Sequence, residues 1–213
     1  SIRGAGNLLG AEQHGFIASV GFDLYTQMLA DEIRKRKAEV DGTQAEEKPE
    51  WNTVIDIQLD AYLPSRYIYD SMQKIEIYKK VAAIRSLEEA ADLHEELEDR
   101  FGDLPQEVLN LLTVARLKVY GALFGIESIS QKGTDIIVKM RTEDNGNLNG
   151  SKLAEIAAKF ERRIHVVQGQ QIQIVFKCNG LQPEQSIAML EQFLVQYKEA
   201  LQLKGELQDV ANS

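Results

Sequence analysis

The sequence predicts an α+β fold: an antiparallel sheet of hairpin strands packed with a cluster of helices, preceded by a Gly-rich loop and a separate N-terminal helix. Three observations carry that prediction. Apolar residues recur at helical spacing in three successive segments between Asp70 and Gly125, with short joints between them. Two later stretches, 126–140 and 163–176, alternate in period two around short polar turns, as hairpins do. A last helical segment opens at Pro183. Strands grouped in hairpins with helices between them argue against a doubly wound sheet.

The first stretch is dense in glycine. Gly4, Gly6, Gly10 and Gly15 stand among Arg3, Asn7, Glu12, Gln13 and His14, a composition that marks a loop needing positive φ or a close approach. Gly4, Gly6 and Gly10 have one residue too many for a dinucleotide fingerprint, and no strand precedes them, so the motif is a weak phosphate cradle. Phe22, Leu24, Tyr25, Met28, Leu29 and Ile33 then predict a helix from about Gly21 to Glu39. Its end is basic, Arg34-Lys35-Arg36-Lys37, which suits the negative end of the helix dipole and leaves a phosphate-contacting patch as the other reading. Residues 41–50 are polar, turn-rich and aperiodic, hence a linker. The organisation expected is therefore 1–40, a linker at 41–50, an α+β domain at 51–204 and a tail at 205–213.

Within that domain, Val54, Ile55, Ile57 and Leu59 indicate a half-buried strand over Trp51–Leu59. Pro64 ends or bends it, and Arg66–Tyr69 is expected as a short extended piece. Asp70 or Ser71 can cap a helix whose apolar face is Met72, Ile75, Tyr78, Val81 and Ala82. Ser86-Leu87-Glu88-Glu89 has the form of a capping box, and the helix it opens buries Ala90, Leu93 and Leu97 before Gly102 stops it. Pro105 suits the first turn of the next helix, which runs through Val108, Leu111, Leu112, Ala115, Val119 and Leu123 to Gly125. Lys132-Gly133-Thr134 turns the first hairpin and Gln168–Gln171 the second, with a short helix at Lys152–Phe160 between them. Ile187, Leu190, Phe193, Leu194, Tyr197 and Leu201 are the expected inner face of the last helix.

Composition limits the chemistry. The 213 residues are 44% hydrophobic, enough for a core, and carry a net charge of −9, which argues against general affinity for nucleic acid. A single cysteine, Cys178, lies in an apolar run and reads as a buried small residue in a reducing cytoplasm. No apolar run is long enough to span a membrane. There is no G-x-x-x-x-G-K-[ST] sequence, His14, His94 and His165 are isolated, and neither metal-ligand spacing nor a nucleophile elbow occurs. The expectation is a chain with no catalytic residues, no metal and no cofactor of its own. One helix stands out: its outer face is expected to carry Glu88, Asp92, Glu95, Glu96 and Asp99, and eight acidic side chains in all lie between Glu88 and Asp103, with Arg100 the one fixed positive charge among them. Such a face is either solvated or a docking surface for a basic partner. Glu96 and Asp99, three apart, share a side on which an arginine could bridge them.

Two motifs in order resemble a known family. Arg3-Gly4-x-Gly6-x-Leu8-Leu9-Gly10-x-x-Gln13-x-Gly15, continuing into Val20-Gly21-Phe22-Asp23-Leu24-Tyr25, is similar to the end of the translocation motif shared by RecG and the bacterial transcription-repair coupling factors. Tyr67-Ile68, Ile77-Tyr78-Lys79-Lys80, the run from Glu96-Leu97 through Asp99-Arg100-Phe101-Gly102 to Leu104-Pro105, and Gly125-Ile126 resemble the C-terminal domain of the coupling factors. The resemblance implies a fragment of a larger ATP-dependent DNA translocase, with ATP and Mg held by an upstream motor, that serves nucleotide excision repair. It implies a regulatory, autoinhibitory domain that folds onto an N-terminal UvrB-like module and masks its UvrA-binding surface, with Glu96 and Asp99 pairing arginines there. The parent would engage RNA polymerase, UvrA and duplex DNA. The alternative is a nucleic-acid-binding module built on Arg3, Gln13 and the Arg34–Lys37 cluster.

Overall fold

The computed structural model describes residues 52–142 and 148–203. The Gly-rich motif from Arg3 to Gly15, the helix expected at Gly21–Glu39, the linker and the tail lie outside the described residues. The described chain divides into two compact units, 58–119 and 52–57 with 120–203, and one of the two boundaries falls within a helix.

In the first unit the chain turns at Pro64, whose carbonyl accepts the N–H groups of Tyr67 (2.9 Å) and Ile68 (3.0 Å). The extended piece expected at Arg66–Tyr69 is thus a turn, because one carbonyl collects two successive donors. Helix α1 (Ser71–Ala82) follows, capped by the Asp70 carboxylate, which accepts from Met72 N at 3.1 Å. Its buried stripe is Lys74, Ile77, Tyr78 and Val81, while Met72 is 73% exposed. The set i, i+3, i+4, i+7 is a proper helical face. Tyr78 and Val81 are buried as their spacing suggests and Ile75 is half-buried, but apolarity alone selects the exposed Met72 and passes over Lys74.

Lys74 therefore buries its stem and brings Nζ to 2.8 Å from Ser65 Oγ. Burial holds its ammonium below the ordinary lysine pKa. The unfolded chain keeps that proton more tightly than the fold does. Stability must then rise with pH between the lowered folded value and the ordinary one, and below that window the buried charge is a standing cost. Lys74→Met is expected to stabilise the chain by about 1 kcal/mol at neutral pH and to flatten that alkaline rise. Urea unfolding at neutral and alkaline pH measures both.

Helix α2 (Leu87–Phe101) begins at Ser86, whose Oγ accepts from Glu89 N at 3.1 Å. The Glu89 carboxylate accepts from Arg85 N at 2.9 Å, one residue before the position that a capping box would use. Ala90, Leu93 and Leu97 are buried, and Gly102 ends the helix at φ +86°, where a side chain would be strained. Helix α3 (Gln106–Phe124) starts from Pro105, whose carbonyl accepts Val108 N and Leu109 N at 3.0 Å. Its one buried polar side chain in this unit, Asn110, is satisfied on both sides: Nδ2 donates to Asp60 O (2.9 Å) and Oδ1 accepts from Gln106 Nε2 (2.8 Å).

The second unit holds a five-stranded sheet of order β1-β2-β3-β5-β4, with β1 Val54–Asp56, β2 Ile126–Lys132, β3 Asp135–Met140, β4 Ile164–Val167 and β5 Gln173–Lys177. Both expected hairpins are present, β2–β3 and β4–β5, and β3 joins β5 antiparallel. The first strand is shorter than its alternation suggests and pairs parallel to β2, so the antiparallel sheet is completed as a mixed one. No hairpin turn sets the direction of β1: residues 57–125 intervene, far more than a parallel connection requires. The period-two burial nevertheless runs on from Thr53 to Leu63, beyond the ladder. Helices α4 (Gly150–Ala157) and α5 (Pro183–Leu203) complete the unit. Phe193 of α5 meets Phe176 edge-on at 5.5 Å, and Tyr197 meets Phe124 at 4.9 Å while its hydroxyl accepts from Asn149 N at 3.3 Å. All six residues expected on the inner face of α5 are buried, as is Cys178.

Candidate protein-interaction face

Helix α2 sorts its acidic residues onto two flanks. Glu88, Asp92, Glu95 and Asp99 follow i, i+4, i+7, i+11, so they form one stripe, on the side of the helix away from Ala90, Leu93 and Leu97. All four are exposed and have no cationic partner among the described residues. Neutral solution leaves this stripe with four negative charges along about three turns of helix.

Glu96 lies on the other flank, toward α1. Its carboxylate accepts Lys80 Nζ at 2.7 and 2.8 Å and Arg100 Nη1 at 3.2 Å. Arg100 Nη1 also reaches Glu76 at 3.1 Å, and Lys80 stands 3.6 Å from the same carboxylate. The four groups make a neutral quartet in which each cation touches both anions. The Lys80 hydrogen bond, then the charges of Lys80 and Arg100, hold the Glu96 carboxyl below the usual glutamate range. Folding keeps this contribution above the ordinary glutamate pKa and loses it as acid titrates the folded carboxylate, so the tie between α1 and α2 weakens on acidification. Side chains here are 34–47% exposed, which limits the quartet to a modest contribution.

The end of α2 is anchored by Tyr67. Its hydroxyl shares one proton between the carbonyls of Leu97 (3.0 Å) and Gly102 (2.9 Å), and its ring sits 5.8 Å from that of Phe101. Burial first, then the fields of Glu98 and Asp103, hold this phenol above its usual range. The Arg100 guanidinium lies 4.9 Å from the centre of the Phe101 ring, which helps hold it on the Glu96 flank.

Of the residues expected from sequence, Glu96 and Asp99 are placed close together but in different electrostatic states, one neutralised internally and one open. Arg3, Gly4, Gly6, Leu8, Leu9, Gly10, Gln13 and Gly15 lie outside the described residues. Lys80 and Glu76 were missed. Their i, i+4 spacing, and that of Glu96 and Arg100, was visible in the sequence, whereas the crossing between helices was not. Among the described residues no three His, Cys, Asp or Glu side chains converge to hold a metal ion, and no helix is long and apolar enough to cross a membrane.

This α+β arrangement defines a domain class: residues 57–151 match the TRCF domain family. A solved structure described as the C-terminal domain of transcription-repair coupling factor superposes with a TM-score of 0.61 at 25% identity, covering 71% of this chain and 98% of that one. The transcription-repair-coupling factor of Bacillus subtilis is 42% identical over 181 residues, 84% of this chain, and that of Staphylococcus haemolyticus 43% over 153 residues, 72% of this chain. The chain belongs to the transcription-repair coupling factor family. It spans 15% of the length of the Bacillus relative and 13% of the Staphylococcus one.

Proposed function

We propose that this chain is the regulatory end of a DNA translocase that couples transcription to nucleotide excision repair in the cytoplasm, with no catalysis of its own. Residues 51–204 form the autoinhibitory domain and residues 1–40 the end of the translocation motif, in which Arg3, Gln13 and the surrounding glycines join ATP hydrolysis in the parent motor to movement on duplex DNA. The domain docks on the parent's UvrB-like N-terminal module and masks its UvrA-binding surface until RNA polymerase is engaged. The observation that carries this reading is the α2 stripe with Asp99 at its end: a row of exposed carboxylates without internal cations fits an arginine-bearing surface. Family membership supports it. Exposed ion pairs contribute about 0–1 kcal/mol each, which suits a lock that must open. A tether keeps such a weak contact closed by raising its effective concentration.

Calorimetric titration of this chain into the parent's isolated UvrB-like module tests the reading. The expected result is binding that weakens from low to moderate salt and is lost in Glu96→Lys/Asp99→Lys. Binding that the double variant retains, or that does not weaken with salt, overturns it.

A further inference from the structure

We propose that the quartet Glu76–Lys80–Glu96–Arg100 is an ion-exchange latch: an arginine of the docked surface takes Glu96, and the two displaced cations fall back on Glu76. This rests on the reading of α2 as the docking face and adds how that face is regulated.

The geometry supports the exchange at each step. Glu96 is not available as it stands, because Lys80 occupies both of its oxygens at 2.7 and 2.8 Å and Arg100 one of them at 3.2 Å. Its side chain is still 36% exposed, so an incoming guanidinium can reach it. Both internal cations already touch a second acceptor, since Arg100 is 3.1 Å and Lys80 3.6 Å from Glu76. Releasing Glu96 therefore leaves neither cation without a partner, and the movement required is a change of side-chain rotamers. The charges balance as well. The undocked quartet sums to zero, and docking an arginine adds one positive charge. Asp99, one helical turn along and open, supplies the compensating negative charge.

The two residues on α1, Lys80 and Glu76, then act on docking with opposite sign. Lys80 competes with the partner for Glu96, so removing it favours the docked state. Glu76 receives the displaced cations, so removing its charge disfavours that state. A merely structural role, holding α1 against α2, would move both variants the same way.

The test uses the full-length parent protein and its capture of UvrA, with the thermal midpoint of each variant recorded beside it. Lys80→Met is expected to lower UvrA binding about two- to fivefold, and Glu76→Gln to raise it by a similar factor, the range that follows from exposed ion pairs. Asp99→Lys serves as the control for the underlying reading and raises binding. If Asp99→Lys raises binding while Lys80→Met and Glu76→Gln shift it in the same direction or not at all, the latch is wrong and the mask stands. If Asp99→Lys leaves binding unchanged, the mask and the latch are both overturned. Midpoints displaced equally in Lys80→Met and Glu76→Gln, with opposite binding shifts, support the latch over a loss of folding.

Discussion

Gly121→Ala is expected to destabilise the second unit by about 3 kcal/mol, although the same change in an exposed helix interior stabilises by about 1 kcal/mol. A Cβ on Gly121 would stand 1.9 Å from Thr53 Oγ1 and 2.7 Å from Thr53 Cβ. Thr53 has nowhere to go: it is 2% exposed, and its hydroxyl donates to Ile126 O at 2.8 Å. That bond ties the residue before β1 to the first residue of β2, where the parallel pairing is established. Relief of the clash costs about 1–3 kcal/mol of strain, and displacing a buried hydroxyl adds about 1–3 kcal/mol. Helix propensity is outweighed. Denaturant unfolding followed by circular dichroism measures the loss, and a cycle with Thr53→Gly tests its cause. The double variant should be less destabilised than the sum of the singles, and additivity within about 0.5 kcal/mol would refute the steric account.

Tyr78→Phe is expected to cost the first unit about 2 kcal/mol. The Tyr78 hydroxyl accepts Leu63 N at 2.9 Å, and both residues are 2% exposed. Phenylalanine keeps the ring and removes the acceptor, so a buried N–H just ahead of the Pro64 turn loses its partner, at the desolvation cost of an unsatisfied donor. Tyr69→Phe is the control. Tyr69 is 88% exposed, and its change should stay within about 0.5 kcal/mol. Equal midpoints for the two variants would show that the Leu63 contact contributes nothing.

Much of this architecture was legible along the chain because its signals are local. Capping by Asp70 and Ser86, the stop at Gly102, the Gly133 turn and the apolar stripe of α5 each depend on residues within about one or two turns of one another. Family character was legible too, in two ordered motifs. The face of α1 was not. Its stripe contains Lys74, and apolarity cannot select a lysine whose head finds Ser65 nine residues earlier. Nor was the state of Glu96 legible. Spacing put it beside Asp99, but the carboxylate that looked open is held by a lysine sixteen residues earlier, on another helix.

The sequence by itself determined the class of fold, the order of the described helices, both hairpins, the acidic helix and the family. Period, capping and turn chemistry are short-range, and a linear reading carries them. Tertiary structure alone decided the parallel placement of β1, the tight approach of Thr53 to Gly121, the burial of Lys74, and which acidic residues stay open on α2. Those outcomes depend on which elements meet, and a charge is free or spent only once the helix across from it is in place.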